Sequence, residues 1–331
     1  MRNELNQIQW LRGIAALLVI VTHFTGKAFS VHLIDYSFSK GAIGVDIFFI
    51  ISGFIMMYVS DARKQETIPF IKNRAIRILP LHIFFFLLLF VVYSIKPEII
   101  NSNVDKTYVW ESLFLIPMSR DNAEYLNPVT WTLCYEIMFY LIFSISLFLK
   151  NLVSSFYLTS GVIILISSFG IFYTGGNAFI TGVTDSISIE FLMGMGIFIL
   201  YKKKFLKFNP VIILLLSFSL YFFLNYLDLP RFVKDGFPSA LLFIAFINLP
   251  NIKMPVLNYL GDISYEIYLC HIICISLAYV VLKKIGFINV PSFIVLTAFL
   301  ILSVSSITAL MQKKINQIKK NIKNKKHYAV E

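Results

Sequence analysis

Long apolar runs recur from one end of the chain to the other, and they constrain the fold more than any other feature. Each is about 15–22 residues, which at about 1.5 Å per residue matches a hydrocarbon core of roughly 30 Å. Backbone polar groups find no water at that depth, so a segment crossing alone must be a helix that bonds internally. The runs predict an all-α polytopic membrane protein with about ten transmembrane helices, near residues 9–28, 41–59, 79–95, 128–149, 155–174, 187–201, 211–227, 237–249, 262–282 and 292–311. The sixth and eighth runs are short enough to tilt, break or re-enter.

Charged residues make up 14% of the chain and hydrophobic ones 58%; a soluble domain would carry about 25% charge. The deficit extends along the whole chain, so the expected organisation is one membrane unit, residues 1–311, and a basic tail, residues 312–331. The first run is read as a permanent helix, because it contains Arg12 and His23 and no small-residue cleavage site follows it. The net charge of +11 would suggest nucleic acid in a soluble protein. Here Lys and Arg gather in short loops and in the tail, so membrane lipid is the expected partner and nucleic acid is not. With the N-terminus inside, inner segments carry 19 Lys and Arg and outer ones nine, so both termini are expected on the cytoplasmic side. The longest outer segment, 96–127, contains a candidate interfacial helix at Tyr108–Met118. Cys134, Cys270 and Cys274 all lie in apolar segments and form no metal or disulfide pattern; no metal site is expected.

Ionisable residues inside such helices are costly, and each is a functional candidate. Arg12 and His23 are eleven residues apart, three turns plus about 20°, so they share one face of the first helix, about 16 Å apart along its axis. Ala16 and Val19 lie on the same stripe, narrow enough to line a slot. The bland alternative is an arginine snorkelling to headgroups and a histidine bonded to another helix. Lys72, Arg74 and Arg77 form a basic inner loop before a helix expected to start at Leu79–Pro80. Such a cluster can grip phosphates, although spacing alone is explained by topology. Glu136 lies two or three turns into the fourth helix and needs a partner; Trp131, one turn before Tyr135, fits an aromatic belt. Ser264, Tyr268 and His271 share a face that suits a polar substrate or interhelical hydrogen bonding, and the sequence leaves both open. Asp46 sits at a helix start, where the dipole favours a carboxylate, and Glu190 is a further intramembrane acid.

Five segments, QWLRGIAALLVIVTHF (9–24), GVDIFFIISGFIM (44–56), RAIRILPLH (74–82), NPVTWTLCYEIMFY (127–140) and DISYEIYLCH (262–271), resemble in order the motifs of the bacterial acyltransferase-3 family, especially its exopolysaccharide O-acetyltransferase branch. The resemblance implies a membrane O-acyltransferase of the bacterial cytoplasmic membrane, taking an acetyl or other acyl group from acyl-CoA at the cytoplasmic face to a glycan hydroxyl outside. Acyl-CoA is then a donor substrate and no cofactor is bound permanently. It implies central roles for Arg12 and His23 and donor contacts from Arg74 and Arg77; the residue pattern adds Lys72 to the donor contacts and Glu136 as an assisting carboxylate. Asp46, Trp131, Tyr268 and His271 are the candidate acceptor contacts. Envelope-biosynthesis proteins are possible partners. His23 would act as general base or as an acyl carrier. The rival reading is a secondary transporter or flippase, which also buries ionisable residues but often shows internal repeats, and none is visible here; a scaffold or sensor is the third.

Overall fold

The computed structural model describes residues 5–63, 66–97, 106–121 and 123–328, without the side chains of Arg63, Asn316 and residues 318–328. Arg2 and Lys64, counted above for orientation, lie outside the described residues, and the tail lysines from Lys319 on are described by their backbone alone. The helices are α1 (Asn6–Ser30), α2 (Ile43–Arg63), α3 (Thr67–Ile95), α4 (Val109–Phe114), α5 (Thr130–Ser146), α6 (Leu152–Phe172), α7 (Ala178–Val183), α8 (Ile189–Lys202), α9 (Pro210–Leu224), α10 (Phe237–Ile247), α11 (Pro255–Asp262), α12 (Ser264–Lys284) and α13 (Val290–Tyr328). The two-residue strands β1 (Thr107–Tyr108) and β2 (Glu124–Tyr125) pair in parallel, Thr107 with Glu124 and Tyr108 with Tyr125.

The protein is an all-α polytopic membrane protein. Eight helical stretches among the described residues are long and apolar enough to cross a membrane, one of them the Ala178–Lys202 stretch that joins α7 to α8. The seventh and eighth predicted runs become the shorter helices α9, 15 residues, and α10, 11 residues, the latter preceded by a π-helical turn at Phe232–Gly236. Several helix starts are legible as caps. Asn151, Asn177 and Asn209 each accept backbone N–H bonds from the first turn of α6, α7 and α9, and Pro210 occupies the first turn of α9.

Three elements differ from expectation. The basic segment before Leu79 is not a loop: α3 begins at Thr67, so Lys72, Arg74 and Arg77 lie on its first turns. Nothing in KNRAIR breaks a helix, and Pro80 sits inside it. Pro80 removes one backbone donor; beside it the carbonyls of Arg77 and Ile78 accept from Gln312 Nε2 and the Tyr265 hydroxyl, each at 2.8 Å. The interfacial helix expected over 108–118 is confined to the six residues of α4. α11 was not foreseen, because its eight residues are too short and too polar to register as an apolar run.

Lipid tails give apolar helices no reason to leave them for one another, so close backbone approach and polar bonds hold such bundles together. The contact of α2 with α8 shows the first device. A Cβ on Gly53 would overlap the Phe191 carbonyl, and one on Gly194 would overlap the Ile50 carbonyl. α1 packs into the centre against α2, α11 and α12. Near its start, Trp10 Nε1 donates to Asn258 Oδ1 at 3.1 Å and Asn258 donates to Asn6 at 2.6 Å. Ser306 of α13 bonds Tyr259 of α11 at 2.7 Å. α13 thus returns to the side on which α1 begins, called the near side below; the opposite side is the far side.

Candidate functional site

A cavity of about 380 Å³ lies between α1, α2, α3, α5 and α12. Arg12 and Arg77 line its near-side part, Ser52, Glu136 and Tyr140 its middle, and Phe48, Thr132 and Tyr268 its far-side end. At that end the Thr132 hydroxyl donates to Tyr268 Oη at 2.9 Å, and the Phe48 and Tyr268 rings meet edge-on at 5.9 Å. These contacts tie α2, α5 and α12 together at that end of the cavity.

Arg12 hydrogen-bonds Gln9 Oε1 at 3.1 Å, one turn back on the same helix. Neither Arg12 nor Arg77 forms an ion pair among the described residues. Arg77, Glu136, Glu266 and Asp262 are the charges that act on Arg12. Two guanidinium groups therefore line one cavity without an ion-paired partner, the condition under which a phosphate-bearing ligand gains most. Arg74 is placed differently. It lines a separate apolar pocket of about 430 Å³ beside α5, its guanidinium 5.8 Å from the Phe70 ring and 6.0 Å from the Tyr140 ring. Its Nε and Nη1 are buried without hydrogen-bond partners. Lys72 is exposed and lines neither space. The basic trio of the sequence is thus divided three ways by the helical geometry of α3, which sets Lys72 about 160° from Arg74 and Arg74 about 60° from Arg77.

Glu136, the carboxylate that lacked a visible partner in the sequence, has two. The Tyr140 hydroxyl, one turn on, donates to its Oε1, and Ser52 Oγ of α2 donates to the same oxygen at 3.3 Å. Ser52 and Tyr140 are themselves 3.0 Å apart. The three form a polar knot joining α2 to α5 in the cavity wall.

His23 does not line the cavity. It is exposed, and Ala16 and Val19, on the stripe between it and Arg12, are packed away at 1% and 2% exposure. The path from near to far side therefore leaves α1 after Arg12 and climbs between α2, α5 and α12. A chain of rings spans the remaining gap: Tyr268 lies 5.7 Å from His271, and His271 lies 5.1 Å from His23. His271 is fully buried, and its Nδ1 is 2.7 Å from the Tyr268 carbonyl. A carbonyl only accepts, so Nδ1 carries the hydrogen and Nε2 is left as an acceptor. That Nε2 is buried with no partner.

Asp46 and Trp131 lie farther out. Asp46 is completely buried and receives Arg231 through two bonds, Nε at 2.9 Å and Nη2 at 2.8 Å. Trp131 carries the Arg120 guanidinium 4.0 Å from its ring centre and that of Arg231 at 5.6 Å. Glu190, also buried, has neither oxygen hydrogen-bonded. Among the described residues no three His, Cys, Asp or Glu side chains are placed to hold a metal ion.

Sequence reasoning missed Ser52, Gln9, Tyr265, Arg120 and Arg231. Gln9 and Ser52 carried some signal: the first is one turn from Arg12, and the second is a hydroxyl inside an apolar run. Arg231 carried none, since it meets Asp46 across 185 positions of chain.

With this geometry in view, comparison with known proteins gives the family. Residues 5–311 match the acyltransferase domain family, so the chain belongs to that family and is an acyltransferase. It is also similar to the exopolysaccharide production protein ExoZ of Rhizobium meliloti (strain 1021), 32% identical over 254 residues that cover 73% of this chain and 78% of the relative. No solved structure matches it.

Proposed function

We propose that this acyltransferase takes an acyl group, an acetyl in the simplest case, from acyl-CoA at the near side and delivers it to a glycan hydroxyl at the far side. The near side is then cytoplasmic, and the membrane is the bacterial inner membrane. The observation that carries the reading is the alignment of unpaired guanidinium groups, a cavity with a carboxylate in its wall and a histidine pair along one path. The name of the Rhizobium relative supports a polysaccharide as the acceptor class.

In this mechanism Arg77 binds a CoA phosphate at the cavity mouth and Arg12 holds the donor deeper in. Arg12 does not act on the carbon that His23 acts on, because about 16 Å of helix axis separates them and a hydrogen bond reaches about 3 Å. The pantetheine arm extends past the Glu136 knot. The Thr132–Tyr268 bond opens to admit the thioester. His23 then takes the proton of the acceptor hydroxyl as that oxygen attacks the thioester carbonyl. The thiolate leaves and recovers the proton from His23, giving free CoA. His271 positions His23: with Nδ1–H committed to the Tyr268 carbonyl, its Nε2 is free to accept an N–H from His23, leaving the other His23 nitrogen as the base.

Membrane vesicles supplied with radiolabelled acetyl-CoA test this. Label should enter envelope glycan with wild-type protein and not with His23→Ala. Equal incorporation by the variant would remove His23 from the chemistry. Uptake of label-free glycan without any acyl-CoA would favour transport instead.

A further inference from the structure

The far-side end of the path carries two guanidinium groups on one indole, and nothing in the mechanism above uses them. Arg231 is committed, since both its Nε and Nη2 are held by Asp46. Arg120 is not. It is exposed, stacks on Trp131 at 4.0 Å, and forms no ion pair among the described residues. The carboxylates nearest in sequence leave it unpaired: Asp121 accepts from Ser119 Oγ at 2.5 Å, and Glu124, although within charge reach, does not close on it.

Arg120 is also held in place rather than trailing from a loose loop. Its neighbour Ser119 donates its N–H to the Ala178 carbonyl at 2.8 Å. Tyr125, 2% exposed, donates to the Ile116 carbonyl at 2.8 Å and accepts the Met118 N–H at 2.7 Å. From that position Arg120 is within charge reach of His23 and of Tyr268. With Arg120 covering the ring, Trp131 does not offer a free face for stacking a sugar. It offers a guanidinium whose plane is fixed by the indole and whose N–H edges remain open, the arrangement that grips a carboxylate through two parallel bonds. One uncompensated cation suits a singly charged group better than a diphosphate.

We infer that Arg120, seated on Trp131 at the far-side end of the path, binds a carboxylate of the acceptor, so that the acceptor is an acidic saccharide of the uronate class rather than a neutral one. This rests on the acyl-transfer reading above and narrows its acceptor. A neutral glycan leaves the guanidinium without a partner, while a uronate places its carboxylate on Arg120 and a nearby ring hydroxyl toward His23.

The test uses the detergent-purified full chain at low salt and two probes of equal size, the disaccharide cellobiose and cellobiouronic acid, which replaces one hydroxymethyl group by a carboxyl. Binding is measured for wild type, Arg120→Ala, Arg120→Lys and His23→Ala. The wild type should bind the uronate about tenfold more tightly than cellobiose, as one charge-assisted contact allows. Arg120→Ala should bring the two within about twofold with cellobiose binding unchanged, and Arg120→Lys should keep part of the preference, the charge without the fork. His23→Ala should keep all of it. Equal binding of both sugars by wild type, or an undiminished preference in Arg120→Ala, overturns the proposal. Acetyl transfer from acetyl-CoA to each probe separates the two readings: transfer to cellobiose as good as to the uronate sinks the acidic-acceptor site and leaves the acyltransferase mechanism standing. Uronate preference without any transfer does the reverse.

Discussion

Removing Arg77 and removing Arg74 should have different consequences, although the two are one helical turn apart and look equivalent in sequence. Arg77 lines the cavity that also holds Arg12 and Glu136, and forms no ion pair among the described residues, whereas Arg74 lines a separate apolar pocket near Phe70 and Tyr140. A charge-assisted hydrogen bond contributes about 1.5–3 kcal/mol. Arg77 is exposed, which places its contribution at the lower end. About 1.4 kcal/mol is tenfold in affinity, so Arg77→Ala should weaken CoA binding about tenfold. Arg74→Ala should change it by less than about threefold, since that side chain lines the separate apolar pocket and not the donor cavity. Isothermal titration of CoA into purified protein at two salt concentrations reads both, and the salt dependence should flatten only in Arg77→Ala. Equal losses in the two variants, or a larger loss in Arg74→Ala, would refute the assignment of the cavity as the donor site.

Three further outcomes follow from the same geometry. His271→Phe should lower acetyl transfer about 10- to 100-fold with donor binding intact, because only the orientation of His23 is lost; His271→Gln, which keeps an acceptor and a donor, should recover part of it, and steady-state kinetics at saturating donor would show the split. Gly53→Val should cost about 3 kcal/mol and lower the thermal midpoint in detergent, since the added carbons overlap the Phe191 carbonyl where α2 meets α8; an unchanged midpoint would mean that the helices separate freely. Asp46→Asn should destabilise by about 2–3 kcal/mol, below the full cost of breaking a buried pair because Arg231 is 28% exposed and can turn to water. Thermal melts of Asp46→Asn beside Arg231→Met check this, and a loss in the double variant equal to the sum of the two would argue that they do not interact.

The membrane architecture was legible because helix length, apolar content and the hydrocarbon thickness are tied together, so α1, α2, α5 and α12 could be placed within a few residues. The start of α3 was not, because a basic amphipathic turn and an ordinary loop carry the same residues and Pro80 invited a boundary that neighbouring side chains make unnecessary. The site was legible only where both members lie on one helix. Tyr268 with His271, and Glu136 with Tyr140, follow from helical spacing. The slot expected along α1 did not form, because Ala16 and Val19 are buried by neighbouring helices. Spacing on one helix fixes which residues share a face and says nothing of what packs against it. Asp46 with Arg231, and Trp131 with Arg120, depend on tertiary approach that local pattern does not encode.

The central claim is that acyl transfer passes through His23 at the far-side end of a cavity filled from the near side. Thiol release from acetyl-CoA by detergent-purified wild type, in the presence of an acidic oligosaccharide, tested beside His23→Ala, addresses it most directly. The account predicts acceptor-dependent thiol release in the wild type and its loss in His23→Ala, with CoA affinity the same in both. Release that persists in His23→Ala while Arg12→Ala alone abolishes it would place the chemistry at the other end of the path and contradict the account.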